Sequence, residues 1–105
     1  KMFDKSELYI RTKARAGPAE QMLATLTEMA HGMTAASMQG GYVGHSGTVM
    51  LEGVVIYTFY AGIDTAQASA IQNQVDAVAY YLLAEKGEES VLLVTDGQAY
   101  LYEAH

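Results

Sequence analysis

Cysteine is absent from the chain, which excludes a disulfide framework, a thiolate nucleophile and a cysteine-ligated metal. Any chemistry must therefore use oxygen, nitrogen or geometry. No apolar run reaches the roughly 18 residues that a membrane-spanning helix needs, and the N-terminus lacks the charged-then-apolar pattern of a secretory leader. We expect a cytoplasmic protein with no membrane partner. Charge is scarce as well: Asp, Glu, Lys and Arg make up 17% of the residues, against about 25% in an average globular domain.

In place of charge the chain carries eight tyrosines and six methionines in 105 residues. Tyrosine and methionine enriched where charge is depleted is the composition of a buried interface core, so the expected state is a homo-oligomer. The length fits one domain spanning 1–105. The charge that exists is unevenly placed, with Lys1, Lys5, Arg11, Lys13 and Arg15 near the start and only Lys86 to offset the acids beyond them.

Leu8, Ile10, Thr12 and Ala14 alternate with Tyr9, Arg11, Lys13 and Arg15, the period of two that predicts a strand over Leu8–Ala16. Gly17 and Pro18 break it, and Met22, Leu26, Met29 and Met33 then predict a helix from Pro18 to about Thr34. The glycine-rich stretch Gly40–Gly47 reads as a loop. Thr48–Leu51 and Val54–Tyr60 read as strands joined by a short turn at Glu52-Gly53. Asp64 is a natural N-cap for a second helix lined by Ile71, Val75, Val78 and Leu82 and ending near Gly87. Val91–Thr95 and Gln98–Tyr102 flank Asp96-Gly97, a strong two-residue hairpin signal. That hairpin puts Leu92, Val94, Ala99 and Leu101 on one face and Val91, Leu93, Tyr100 and Tyr102 on the other, so neither face suits water. The order β-α-β-β-α-β(β) predicts an α+β, ferredoxin-like sandwich: an antiparallel sheet with two helices on one face and a neighbouring subunit on the other.

Most candidate motifs fail on chemistry. Arg11, Lys13 and Arg15 form a basic stripe, but an acidic body without a base-stacking motif argues against nucleic acid. Glu28 and His31 have the helical spacing of di-iron sites, yet such sites need a second copy and further carboxylates, so no metal is expected. His45 and Ser46 lie side by side without nucleophile-elbow spacing. Gly40, Gly41, Gly44 and Gly47 lack the lysine of a phosphate-binding loop. Glu52 is different, because from Met29 to Ile63 it is the only Asp, Glu, Lys or Arg. A lone carboxylate among apolar and tyrosine-rich strands is a candidate functional group.

In order along the chain, Leu8-Tyr9-Ile10, Gly41-Tyr42-Val43-Gly44, Glu52 ahead of Val54-Val55-Ile56, Asp64-Thr65-Ala66-Gln67-Ala68 and Val91-Leu92-Leu93-Val94 resemble segments of the bacteriophage S-adenosylmethionine lyases, long called S-adenosylmethionine hydrolases. The resemblance implies a ferredoxin-like trimer with active sites between subunits. It implies a catalytic Glu52, a substrate-binding Tyr42, and His45 and Ser46 as neighbours of the site. S-adenosylmethionine would be the substrate and no cofactor would be needed. The implied reaction is attack of the substrate's own carboxylate on Cγ, giving 5′-methylthioadenosine and homoserine lactone. It also implies a role in depleting a host's methyl donor against restriction. In the older hydrolase scheme Glu52 activates water instead. Two other classes stay open: a non-enzymatic acidic inhibitor or immunity-type protein docking on a basic partner, and a small-molecule-binding or oxygenase domain of the dimeric ferredoxin-like type.

Overall fold

A computed structural model describes residues 3–44, 46–62 and 65–104. Strand β1 (Phe3–Arg11) leads through a 3-10 turn (Thr12–Ala14) to helix α1 (Pro18–Ala30). Strands β2 (Thr34–Val43) and β3 (Val49–Gly62), helix α2 (Thr65–Ala84), and strands β4 (Ser90–Thr95) and β5 (Gln98–Glu103) follow. The sheet order is β2-β3-β1-β4-β5, and every neighbouring pair is antiparallel. The fold is ferredoxin-like, with β5 added beyond β4 at one edge.

Alternation decides which face of the sheet each residue serves. Leu8 and Ile10 of β1, Val55, Tyr57 and Phe59 of β3, and Val91 and Leu93 of β4 form one buried cluster with Leu23 and Leu26 of α1 and Ile71, Val75, Val78 and Leu82 of α2. Both helices therefore cover the same face. The residues between these point the other way, and on that open face Met38, Tyr60 and Leu101 are 57%, 53% and 56% exposed. The register of the last hairpin agrees with its sequence pattern: Leu92 pairs with Leu101 and Val94 with Ala99, while Val91 and Leu93 face the helices.

Several expected boundaries move, each for a local reason. Helix α1 stops at Ala30 rather than Thr34, because His31 takes a left-handed conformation (φ 62°) and its N–H donates to the Glu28 carbonyl. Strand β1 begins earlier and ends at Arg11, where the 3-10 turn brings Thr12 against Gly53. A Cβ on Gly53 would lie 2.8 Å from Thr12 Oγ1. Lys13 and Arg15 thus leave the strand, and the basic stripe is dissolved. The expected Asp64 cap lies outside the described residues. Helix α2 ends at Ala84, after which Gly87 reverses the chain at φ 69°.

The largest revision concerns the middle of the chain. Gly40 and Gly41 are not loop but strand, paired with Glu52 and Leu51, and Glu52-Gly53 lies within a continuous β3 rather than at a turn. The reversal is made instead between Gly44 and Thr48, where the Gly44 N–H donates to the Thr48 carbonyl at 2.9 Å. The two strands consequently form one long arm, consistent with a molecule extending 46 Å along one axis and about 25 Å along the others.

Candidate active site

The arm and the end of β1 enclose a cleft on the open face, about 280 Å³ in volume. Pairing sets its residues: Gly40 lies opposite Glu52, and Val54 bridges Met38 and Arg11. Tyr9, Arg11, Tyr42, Glu52 and Val54 line it from the first three strands, Glu88 and Glu89 from the turn before β4, and Leu92 from β4 itself. Because Gly40 has no side chain, the space beside Glu52 stays open. A Cβ there would meet Val54 Cγ2 at 3.0 Å.

Arg11 sits between two carboxylates. Its Nε lies 3.0 Å from Glu52 Oε2, and its Nη1 lies 3.4 Å from Glu88 Oε2. The first contact is close without being aligned as a hydrogen bond, so the buried Nε–H has no hydrogen-bond acceptor among the described residues. That contact is an attraction of charges and not a hydrogen bond, because alignment, not distance alone, makes a hydrogen bond. Glu88 is only 7% exposed. Burial pushes its carboxyl above the usual range, Arg11 pulls it down, and Glu52 and Glu89 push it up again. Its backbone is held too, the Glu88 N–H donating to the Leu82 carbonyl at 3.0 Å past the end of α2.

Of the residues singled out by sequence, Glu52 and Tyr42 share this cleft. Ser46 lies in the turn at the tip of the arm, its hydroxyl donating to Thr48 Oγ1 at 3.0 Å, and is not among the cleft's lining residues. His45 lies outside the described residues. Sequence reasoning missed Arg11, Glu88 and Tyr9. In the sequence Arg11 reads as part of a basic stripe, and Glu88 falls between the end of the second helix and the next strand with no signal of its own. The available signal was Gly87, which reverses the chain beyond α2 and turns the following residue back toward the sheet.

Two carboxylates around one guanidinium leave the cleft net negative, with tyrosine faces beside it, a setting that favours an organic cation. Among the described residues no three His, Asp or Glu converge as metal ligands. No protein-family profile matches this chain, and no curated protein matches it in sequence. Solved structures do resemble it. A phage S-adenosylmethionine lyase in complex with S-methyl-5′-thioadenosine superposes with a TM-score of 0.65 at 14% identity, covering 97% of this chain and 90% of that one. CutA from Synechococcus elongatus superposes with 0.56 at 13% identity, covering 96% and 75%. The Bacillus subtilis GlnK–ATP complex gives 0.56 at 13% identity, covering 98% and 83%. At such identities the likeness is one of fold, and it joins the strand order in assigning this chain to the ferredoxin-like architecture.

Proposed function

We propose that this cleft binds S-adenosylmethionine and cleaves it into 5′-methylthioadenosine and homoserine lactone. The observation that carries the reading is the placement of Glu52 and Tyr42 together in a negative, tyrosine-lined cleft. The fold likeness to a lyase solved with methylthioadenosine supports it.

The chemistry asks little of the protein. A carboxylate oxygen of the substrate forms a bond to its own Cγ, the Cγ–S⁺ bond breaks, and the electron pair stays on sulfur as a neutral thioether. No proton is lost or gained. The protein's task is to fold the substrate so that oxygen, carbon and sulfur lie in line, an orientation effect that reaches roughly 7–11 kcal/mol in favourable systems. Glu52 serves by holding the substrate's ammonium, not as a base. Tyr9 and Tyr42 pack on the sulfonium and the adenine and exclude water. The exposed apolar side chains Met38, Tyr60 and Leu101 are covered by further copies of the chain, which close the cleft between subunits in a trimer.

Incubating the purified protein with S-adenosylmethionine and separating the products tests the reading. Methylthioadenosine with early homoserine lactone is expected. In ¹⁸O-water the lactone first released should be unlabelled, whereas a Glu52-activated water would place the label on the γ-hydroxyl of homoserine. Absence of methylthioadenosine at high enzyme concentration would remove the proposal.

A further inference from the structure

Arg11 has no part in the reaction as written above, yet it is the only cation among the described residues that line the cleft. As the last residue of β1, paired with Val54, it projects from the middle of the sheet toward two carboxylates of separate origin. Glu52 comes from within β3, and Glu88 from the turn that leads into β4. Left to themselves, Glu52, Glu88 and the adjacent Glu89 would repel one another at one end of the cleft. A guanidinium is suited to relieve this, since its planar fork meets two carboxylates at once where an ammonium is a point charge.

We propose that Arg11 is a positioning residue: by holding Glu52 and Glu88 on one guanidinium, it presents the two carboxylates as a single preset acceptor for the cationic amino-acid head of the substrate. This inference rests on the reaction proposed above. Arg11 does not touch the substrate. The unaligned Nε contact fits the role, because a carboxylate held by charge alone keeps its lone pairs free to turn to an arriving ammonium. The other groups facing this set are Tyr9 of β1, Tyr42 of β2 and Glu89, with Lys13 on the adjoining groove beside Arg11 and Glu52.

The test compares wild type with R11Q and R11K in two measurements. Carbon-13 titration of the labelled glutamate carboxyls follows Glu88 directly and needs no turnover. Arg11 lowers the Glu88 carboxyl against burial, so R11Q should move its midpoint upward and R11K should move it less. The second measurement is the pH profile of KM for S-adenosylmethionine. In R11Q the KM should rise at neutral pH by roughly tenfold to a hundredfold, the scale on which misplaced groups act. The gap should widen as pH falls, because the raised Glu88 midpoint in R11Q protonates that carboxylate first, and R11K should recover part of the loss. A purely structural role would lower the melting temperature while leaving the KM profile parallel to that of wild type, and that result overturns the proposal. An unmoved Glu88 midpoint in R11Q overturns it as well. If R11Q does not fold, the same two readings on R11K decide. A wild-type protein that forms no methylthioadenosine sinks the reaction instead, while the carboxyl titration still tells whether Arg11 holds the pair.

Discussion

The two hairpins of the sheet both turn on a left-handed glycine, Gly97 in β4–β5 and Gly47 (φ 82°) in β2–β3, but only the second also places glycine within its strands. In β4–β5, Asp96 and Gly97 take φ 50° and 75°, and this two-residue turn needs a residue that reaches the left-handed region without strain. A Cβ on Gly97 would meet nothing within 4 Å. In β2–β3, Gly40 and Gly53 are ordinary strand residues whose missing side chains leave room, beside Glu52 in one case and against Thr12 in the other. One hairpin uses glycine for its conformation alone, and the other also for its emptiness. The left-handed glycines close the turns, whereas Gly40 leaves space in the cleft beside Glu52 and Gly53 admits Thr12.

The largest effect should come from the arm's one carboxylate. Glu52→Gln keeps shape and removes charge, and turnover should fall by about a hundredfold or more, equivalent to at least about 2.7 kcal/mol of transition-state stabilisation. Stability should change by less than about 1 kcal/mol, because the Arg11–Glu52 pair is partly exposed and such pairs contribute little. The variant should therefore sediment as the same oligomer as wild type. A fully active Glu52→Gln enzyme would make the arm structural after all and erase the contrast between the hairpins.

The contrast itself is tested by adding one methyl group to each hairpin. Gly53→Ala places a Cβ against Thr12 Oγ1, an overlap of the kind that costs about 1–3 kcal/mol. It should also disturb Arg11, the neighbour of Thr12. Adding Thr12→Ala should return most of that loss in denaturant unfolding, since it removes the obstructing oxygen. Gly97→Ala should cost about 1–2 kcal/mol through its left-handed backbone alone, and no neighbouring truncation should rescue it. Equal behaviour of the two variants toward a second substitution would break the comparison.

What was legible in the sequence follows the same division. The face under the helices announced itself, because Leu8 and Ile10, Ile71 through Leu82, and Asp96-Gly97 carry signals that neighbours along the chain complete. The arm did not. Gly40 and Gly41 look like a loop until their pairing with Leu51 and Glu52 is known, and that pairing is set by partners across a ladder rather than by propensity. Glu52 was visible as an isolated charge, and Tyr42 entered only through the family resemblance. Arg11 and Glu88 were invisible as a pair, since ordinary local rules read one as part of a strand stripe and give the other no role between helix and strand. Only the fold brings the two together.

The smallest effect belongs to the structural hairpin, and it has a pH signature. The Tyr102 hydroxyl of β5 donates to Asp76 Oδ1 of α2 at 2.8 Å, and Gln72 reaches the same Asp76 oxygen at 2.8 Å and the Tyr102 hydroxyl at 3.1 Å. These bonds tie the edge strand to the helix. Burial first, and then the bond to Asp76, push the Tyr102 phenol up to about 12, against an ordinary value of 10.0. A phenol raised on folding stabilises the folded state while it keeps its proton. The contribution is full below pH 10 and is lost as pH rises toward 12. Tyr102→Phe removes both the bond and the titration, so wild type should exceed the variant by a fraction of a kcal/mol at pH 8, as befits a hydrogen bond near solvent. That difference should fall as pH rises through 10 toward 12 and reverse in sign within that window, measured by urea unfolding of the two proteins side by side. The two proteins share every other group, so the difference isolates Tyr102. A difference that stays constant across this window would mean that the phenol is not held against Asp76, and that β5 rests on α2 through packing alone.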